Sequence, residues 1–123
     1  MLTRTFLLAA ILALNGCAAV STADGQRLAL TSPEFRVYVE RVFREQNRVA
    51  DELAFALEDA DAPRAELAAA EQTLLDACAG VNELATARRD DRRLGVRRSA
   101  AGARSVPKCE QATRAAARLL ERS

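Results

Sequence analysis

Six arginines crowd eleven positions near the C-terminal end of this 123-residue chain: Arg88, Arg89, Arg92, Arg93, Arg97 and Arg98, in the run RRDDRRLGVRR. A guanidinium is a planar fork of donors that matches phosphate and carboxylate oxygens. The chemistry such a cluster offers is capture of an anionic lipid, a lipopolysaccharide or a cell-wall polymer. The plainer alternative is a solvated loop that pairs with the chain's own acids. Carboxylates at Asp51/Glu52 and at Glu58/Asp59/Asp61 have the residue type for acid–base work, but they read more simply as a solvated helix face and a helix C-terminal turn. Acids at a helix C-terminus oppose its dipole, which makes the arginine run a natural partner for the Glu58–Asp61 cluster. The chain has no histidine, no G-x-S-x-G, no phosphate-binding loop and no dinucleotide glycine pattern. Cys78 and Cys109 lie 31 positions apart, so they form no C-x-x-C, and without histidine they complete no zinc site. No cofactor, metal or enzymatic activity is implied.

The net charge of +1 conceals an asymmetry. From Cys17 to Ala87 there are thirteen acidic and six basic residues; from Arg88 to Arg104 there are seven arginines and two aspartates. An acidic body thus carries a basic segment. Nucleic acid is disfavoured, because no aromatic residues interleave with the arginines to stack on bases.

Helices must position these groups. Alanine, leucine, arginine and glutamate dominate while aromatics make up 4% of the chain, a balance that favours helix over sheet. All three prolines stand where a helix should begin, in Ser32-Pro33-Glu34, Asp61-Ala62-Pro63 and Ser105-Val106-Pro107. A first helix over about 33–59 carries Phe35, Val39, Val42, Gln46, Val49, Leu53 and Ala56 at steps of three and four. A second, over about 63–88, repeats the rhythm with Leu67, Ala70, Leu74, Ala77, Val81 and Leu84. Gly80 interrupts this seam without shifting its phase, which favours one continuous helix with close backbone approach at the glycine over a break capped by Asn82. A short third helix spans about 107–121. The short link around Asp59–Ala62 predicts that the first two helices are antiparallel neighbours. Residues 88–104, polar and punctuated by Gly95 and Gly102, read as a mobile loop. Phe55 and Val37 fall on the charged side of the first helix. Phe55 either folds under Leu28 or Leu30 or, with Val37, contacts a partner protein.

The N-terminus concerns targeting. Arg4 and the terminal amine precede a nine-residue apolar run, Phe6–Leu14, too short to span a bilayer and of the length of a signal-peptide core. Leu14-Asn15-Gly16-Cys17 follows directly and resembles the lipobox of bacterial lipoproteins. That resemblance implies cleavage by signal peptidase II before Cys17, a diacylglyceryl thioether on Cys17 and acylation, such as by palmitate, of the new amine. More than one buried acyl chain makes membrane anchoring stable. Ala18 is similar to the residue that follows the lipid cysteine in the outer-membrane sorting class. An ordinary secretory signal, cut near Cys17-Ala18-Ala19 or Ser21-Thr22-Ala23, is the alternative.

Lipidation of Cys17 would also resolve an odd count of three cysteines in an exported chain. It leaves Cys78 and Cys109 as a pair, which in an oxidising periplasm reads as a disulfide. The stretches 44–50 (REQNRVA) and 76–85 (DACAGVNELA) resemble small proteobacterial envelope lipoproteins, a likeness that brings no activity with it. The expectation is therefore an all-α protein: signal peptide 1–16, lipidated tether 17–31, and a helical domain over 32–123. In that domain an antiparallel hairpin is stapled by the disulfide to a short third helix. The expected role is non-catalytic and structural, in a membrane-anchored protein that contacts an envelope protein or, through the arginine loop, an anionic lipid or glycan.

Overall fold

In the computed structural model, which describes residues 18–123, three long helices carry most of the chain. They are α1 (Pro33–Leu57), α2 (Arg64–Arg89) and α3 (Val96–Arg122), preceded by two short strands, β1 (Ala19–Ser21) and β2 (Arg27–Ala29). Cys17 and the apolar run before it lie outside the described residues. The protein is mostly helical with three helices, as expected, and a two-stranded antiparallel sheet is added to them.

α1 starts at the expected proline. Ser32 Oγ accepts a hydrogen bond from the Phe35 amide at 3.1 Å, and Pro33 occupies the first turn, where its missing N–H costs nothing. Phe35, Tyr38, Val42, Gln46, Val49 and Leu53 form its buried stripe. α2 runs unbroken through Gly80 and buries Leu67, Leu74, Ala77, Cys78 and Val81. Between these two helices Glu40 meets Arg88, and Gln46 hydrogen-bonds Asn82.

α3 departs from the expectation of a short helix beginning at Pro107. It begins at Val96, carries Pro107 in its interior, and at 27 residues is the longest of the three. An interior proline removes one backbone donor and crowds the preceding turn, at a cost of about 3 kcal/mol. Burial of Gly102, Val106 and Cys109 on α2 offsets that cost. The tightest helix pair is α2 with α3 rather than α1 with α2. Two glycines make the approach possible. A Cβ on Gly102 would stand 2.8 Å from Leu84 Cγ and 3.1 Å from the Gly80 carbonyl oxygen, and one on Gly80 would stand 3.2 Å from Gly102 Cα. Gly102 therefore marks a helix crossing and not a mobile loop, and the connection shrinks to residues 90–95.

Cys78 and Cys109 are joined in a disulfide across the same seam, both fully buried, with Cα atoms 4.6 Å apart. Closing a loop of this sequence separation removes chain entropy from the unfolded state worth about 3–4 kcal/mol.

The segment expected to be a flexible tether is a β-hairpin. Ala19 pairs with Ala29, Val20 with Leu28 and Ser21 with Arg27. Alternation along each strand turns Val20 and Leu28 to one face, where both are buried in the core. Asp24-Gly25 makes the turn, with Gly25 at φ 83°, a left-handed backbone that glycine adopts without a Cβ penalty.

Gly102→Ala tests the crossing. Alanine's better helix propensity contributes about 1 kcal/mol, while overpacking costs about 1–3 kcal/mol. The expected outcome is a net loss of about 1 kcal/mol in urea unfolding with an unchanged denaturant slope. A gain equal to the propensity difference would show that the backbones do not meet there.

Candidate functional site

The arginine run is split between three elements. Arg88 and Arg89 end α2, where cations favour the helix dipole. Arg92 and Arg93 lie in the connection, and Arg97 and Arg98 open α3. At the start of a helix a cation opposes the dipole, and the first turn of α3 contains no acid, so this end is strongly electropositive. Asp91, at φ 50°, is the only non-glycine residue with positive φ among the described residues, and aspartate tolerates that conformation.

Much of this charge is met internally, though not by the acids expected. Arg88 approaches Glu40 at 3.8 Å, Arg89 and Arg92 share Asp90 at 3.1 and 3.8 Å, and Arg98 pairs with Glu83. The Glu58–Asp61 cluster takes no part. α1 ends there, at the opposite end of the bundle from residues 90–95, so the cluster is out of reach. Arg93 and Arg97 are exposed and make no ion pair within the described residues. Val96 lies between them in the chain and is 88% exposed.

Beside this end opens a groove of about 620 Å³, running between the first half of α1, the last turns of α2 and the start of α3. Its apolar wall includes Leu30, Phe35, Val39, Phe43, Leu84 and Leu94, while Arg36, Arg88, Arg89 and Arg92 also line it. Leu30 belongs to the hairpin exit, and its amide donates to the Ala18 carbonyl at 2.8 Å.

Val37 and Phe55 are 67% and 77% exposed, so neither is covered by the hairpin. Leu28 is buried in the core and Leu30 lines the groove, which leaves Phe55 in solvent. Eighteen residues of helix separate the two by about 27 Å, so they form no single patch.

Sequence reasoning missed a heavily bonded buried acid. The Glu110 carboxylate on α3 is 3% exposed, accepts three hydrogen bonds and pairs with one further arginine. The Ala23 amide lies at 2.7 Å and the Tyr38 hydroxyl at 3.0 Å from Oε1; Arg41 at 3.0 Å and Arg114 at 3.5 Å approach Oε2. Arg114 also forks onto both Asp24 oxygens at 3.2 Å, and Arg41 stacks 5.3 Å above the Tyr38 ring. The hydrogen bond and charge of Arg114 hold the Asp24 carboxyl below the usual carboxylate range, and Asp24 in turn raises the Arg114 guanidinium. Burial, then the hydrogen bond and charge of Glu110, pushes the Tyr38 hydroxyl well above its ordinary value. A helix beginning at Pro107 would put Glu110 in a first turn, where acids are ordinary, so the sequence pattern gave no sign of burial. Glu110 is met by structural groups of the chain itself. It binds the hairpin, α1 and α3 together.

Among the described residues no cluster of histidine, cysteine or acidic side chains is placed to hold a metal, and no helix is long and apolar enough to cross a membrane. No protein-family model, curated protein or solved structure matches the chain.

Tyr38 is the sole tyrosine, so alkaline absorbance reads it alone. Its raised value favours the neutral phenol in the folded state. That contribution to stability is complete below the free tyrosine value of about 10 and is lost as pH rises through the folded value. The folded protein is expected to show no phenolate at about pH 11, a unit above the free value, whereas Glu110→Gln ionises at lower pH. Ordinary titration in the folded wild type would contradict the buried Tyr38–Glu110 contact.

Proposed function

We propose that the chain is a non-catalytic envelope lipoprotein, anchored through lipid on Cys17 to the outer membrane and facing the periplasm. Its helical body rests with the arginine end towards an anionic lipid or glycan surface. The observation that carries this reading is the hydrogen bond between Leu30 and Ala18. Ala18 follows the lipobox cysteine directly, and it is already tied to the folded body beside the arginine groove. A lipid on the preceding residue then leaves no slack between membrane and domain. The electropositive start of α3, with Arg93, Val96 and Arg97 exposed together, supports contact with headgroups. Arginines supply charge there, and one apolar side chain can enter the interface.

A second role, contact with an envelope protein, is supported by Phe55. A large aromatic side chain 77% exposed on an otherwise charged helix face is the residue type that anchors protein interfaces.

Intact-mass measurement of the protein extracted from membranes tests the anchor. The expected product begins at Cys17 and carries a diacylglyceryl group and an N-linked acyl chain, and Cys17→Ser abolishes both additions. An unacylated mature chain in the soluble fraction, cut at a later alanine, would overturn the anchor.

A further inference from the structure

We infer that the groove beside the arginine end takes one acyl chain of an anionic phospholipid, with the lipid phosphate held by Arg88 and Arg92. The inference rests on the membrane-anchored reading for the source of the lipid, and it adds a bound ligand that the anchor alone does not require.

Three features point to an anionic amphiphile. The first is size: about 620 Å³ falls within the range of pockets that enclose small organic ligands. The second is the division of the lining. Phe35, Val39 and Phe43 of α1 and Leu84 of α2 line the groove with apolar side chains, which suits hydrocarbon. The third is the rim charge. Arg36, Arg88, Arg89 and Arg92 line the groove with Glu40 as the sole acid, and Asp90 is shared by Arg89 and Arg92. Four guanidiniums thus face two carboxylates, leaving an excess of positive charge above the apolar floor. Inorganic phosphate would leave the floor in water, and a zwitterionic lipid would bring a second cation to a cationic rim. An anionic phospholipid satisfies both parts. Its source is adjacent, because Leu30 in the wall is bonded to Ala18, one residue from Cys17.

The test uses the full chain as exported, held in a mild non-ionic detergent and titrated with lysophosphatidylglycerol, with lysophosphatidylcholine of equal chain length, and with inorganic phosphate. Native mass spectrometry counts the bound molecules. The expected result is one lysophosphatidylglycerol per chain, bound at least about tenfold more tightly than the choline lipid, with phosphate alone not retained. Arg88→Ala combined with Arg92→Ala is expected to erase the anionic preference while leaving weak lipid binding. Val39→Trp, which fills the floor, is expected to abolish binding of either lipid. Should that variant fold poorly, Leu94→Glu, placed in the connection outside the core, serves instead. Equal binding of both lipids, retention of phosphate alone, or lipid binding unaffected by Val39→Trp or Leu94→Glu in a folded protein overturns the inference. The same spectra report acylation. An unacylated chain that binds lysophosphatidylglycerol supports the groove and sinks the anchor, whereas an acylated chain that retains no lipid sinks the groove alone.

Discussion

A carboxylate taken out of water must find donors in the protein, because leaving a buried charge unpaired costs several kcal/mol. Glu110 finds them in three separate elements: a hairpin amide, Tyr38 and Arg41 of α1, and Arg114 of α3. It ties the N-terminal hairpin directly to both helices. Val20 and Leu28 bring the strands onto the core, but apolar contact alone is tolerant of sliding. The Ala23 amide on Glu110 and the Asp24–Arg114 fork fix the turn of the hairpin against α3. Fixing the turn fixes its other end. Ala18 is held against Leu30, at the end of the bundle that carries the arginines.

The second constraint is the seam between α2 and α3. Gly80 and Gly102 let the backbones approach, and the Cys78–Cys109 disulfide closes the same seam farther along. This packing keeps α3 helical through Pro107 and extends it back to Val96. It thereby turns a supposed mobile loop into a short connection between two helix ends. Arg88 and Arg89 consequently stand on helix on one side and Arg97 and Arg98 on helix on the other, with Arg93 and Val96 exposed between them.

How much of this was legible in the sequence depended on whether the signal was local. The starts of α1 and α2 were readable because Ser32-Pro33 and Pro63 act within one turn, and the seam of α2 stayed in phase across Gly80. α3 was misread because Gly102 and Pro107 are breakers by local propensity, and only burial against α2 overrides them. The hairpin had a local sign that went unused, Asp24-Gly25 between Val20 and Leu28, obscured by its place after a stretch that reads as a targeting signal, where slack was expected. Glu110 had none that pointed to burial, since the groups that bury it lie 69 to 87 residues away and its i,i+4 partner Arg114 reads as an ordinary surface pair. The acids that pair with the arginines were assigned by charge alone. Helix direction decided instead for Glu40 and Glu83 over the Glu58–Asp61 cluster.

Together these constraints describe a domain with a defined end: hairpin exit, groove and arginines at one pole, Asp59 and Asp61 at the other. On the proposed lipoprotein reading, this pole faces the membrane at short range. Paramagnetic broadening of amide resonances by headgroup-labelled lipid, in nanodiscs carrying the acylated chain, tests it most directly. The account predicts strong broadening around Ala29 and Val96 and little around Asp59 and Asp61. Weak and uniform broadening along the whole domain, as a freely swinging tether would give, contradicts it.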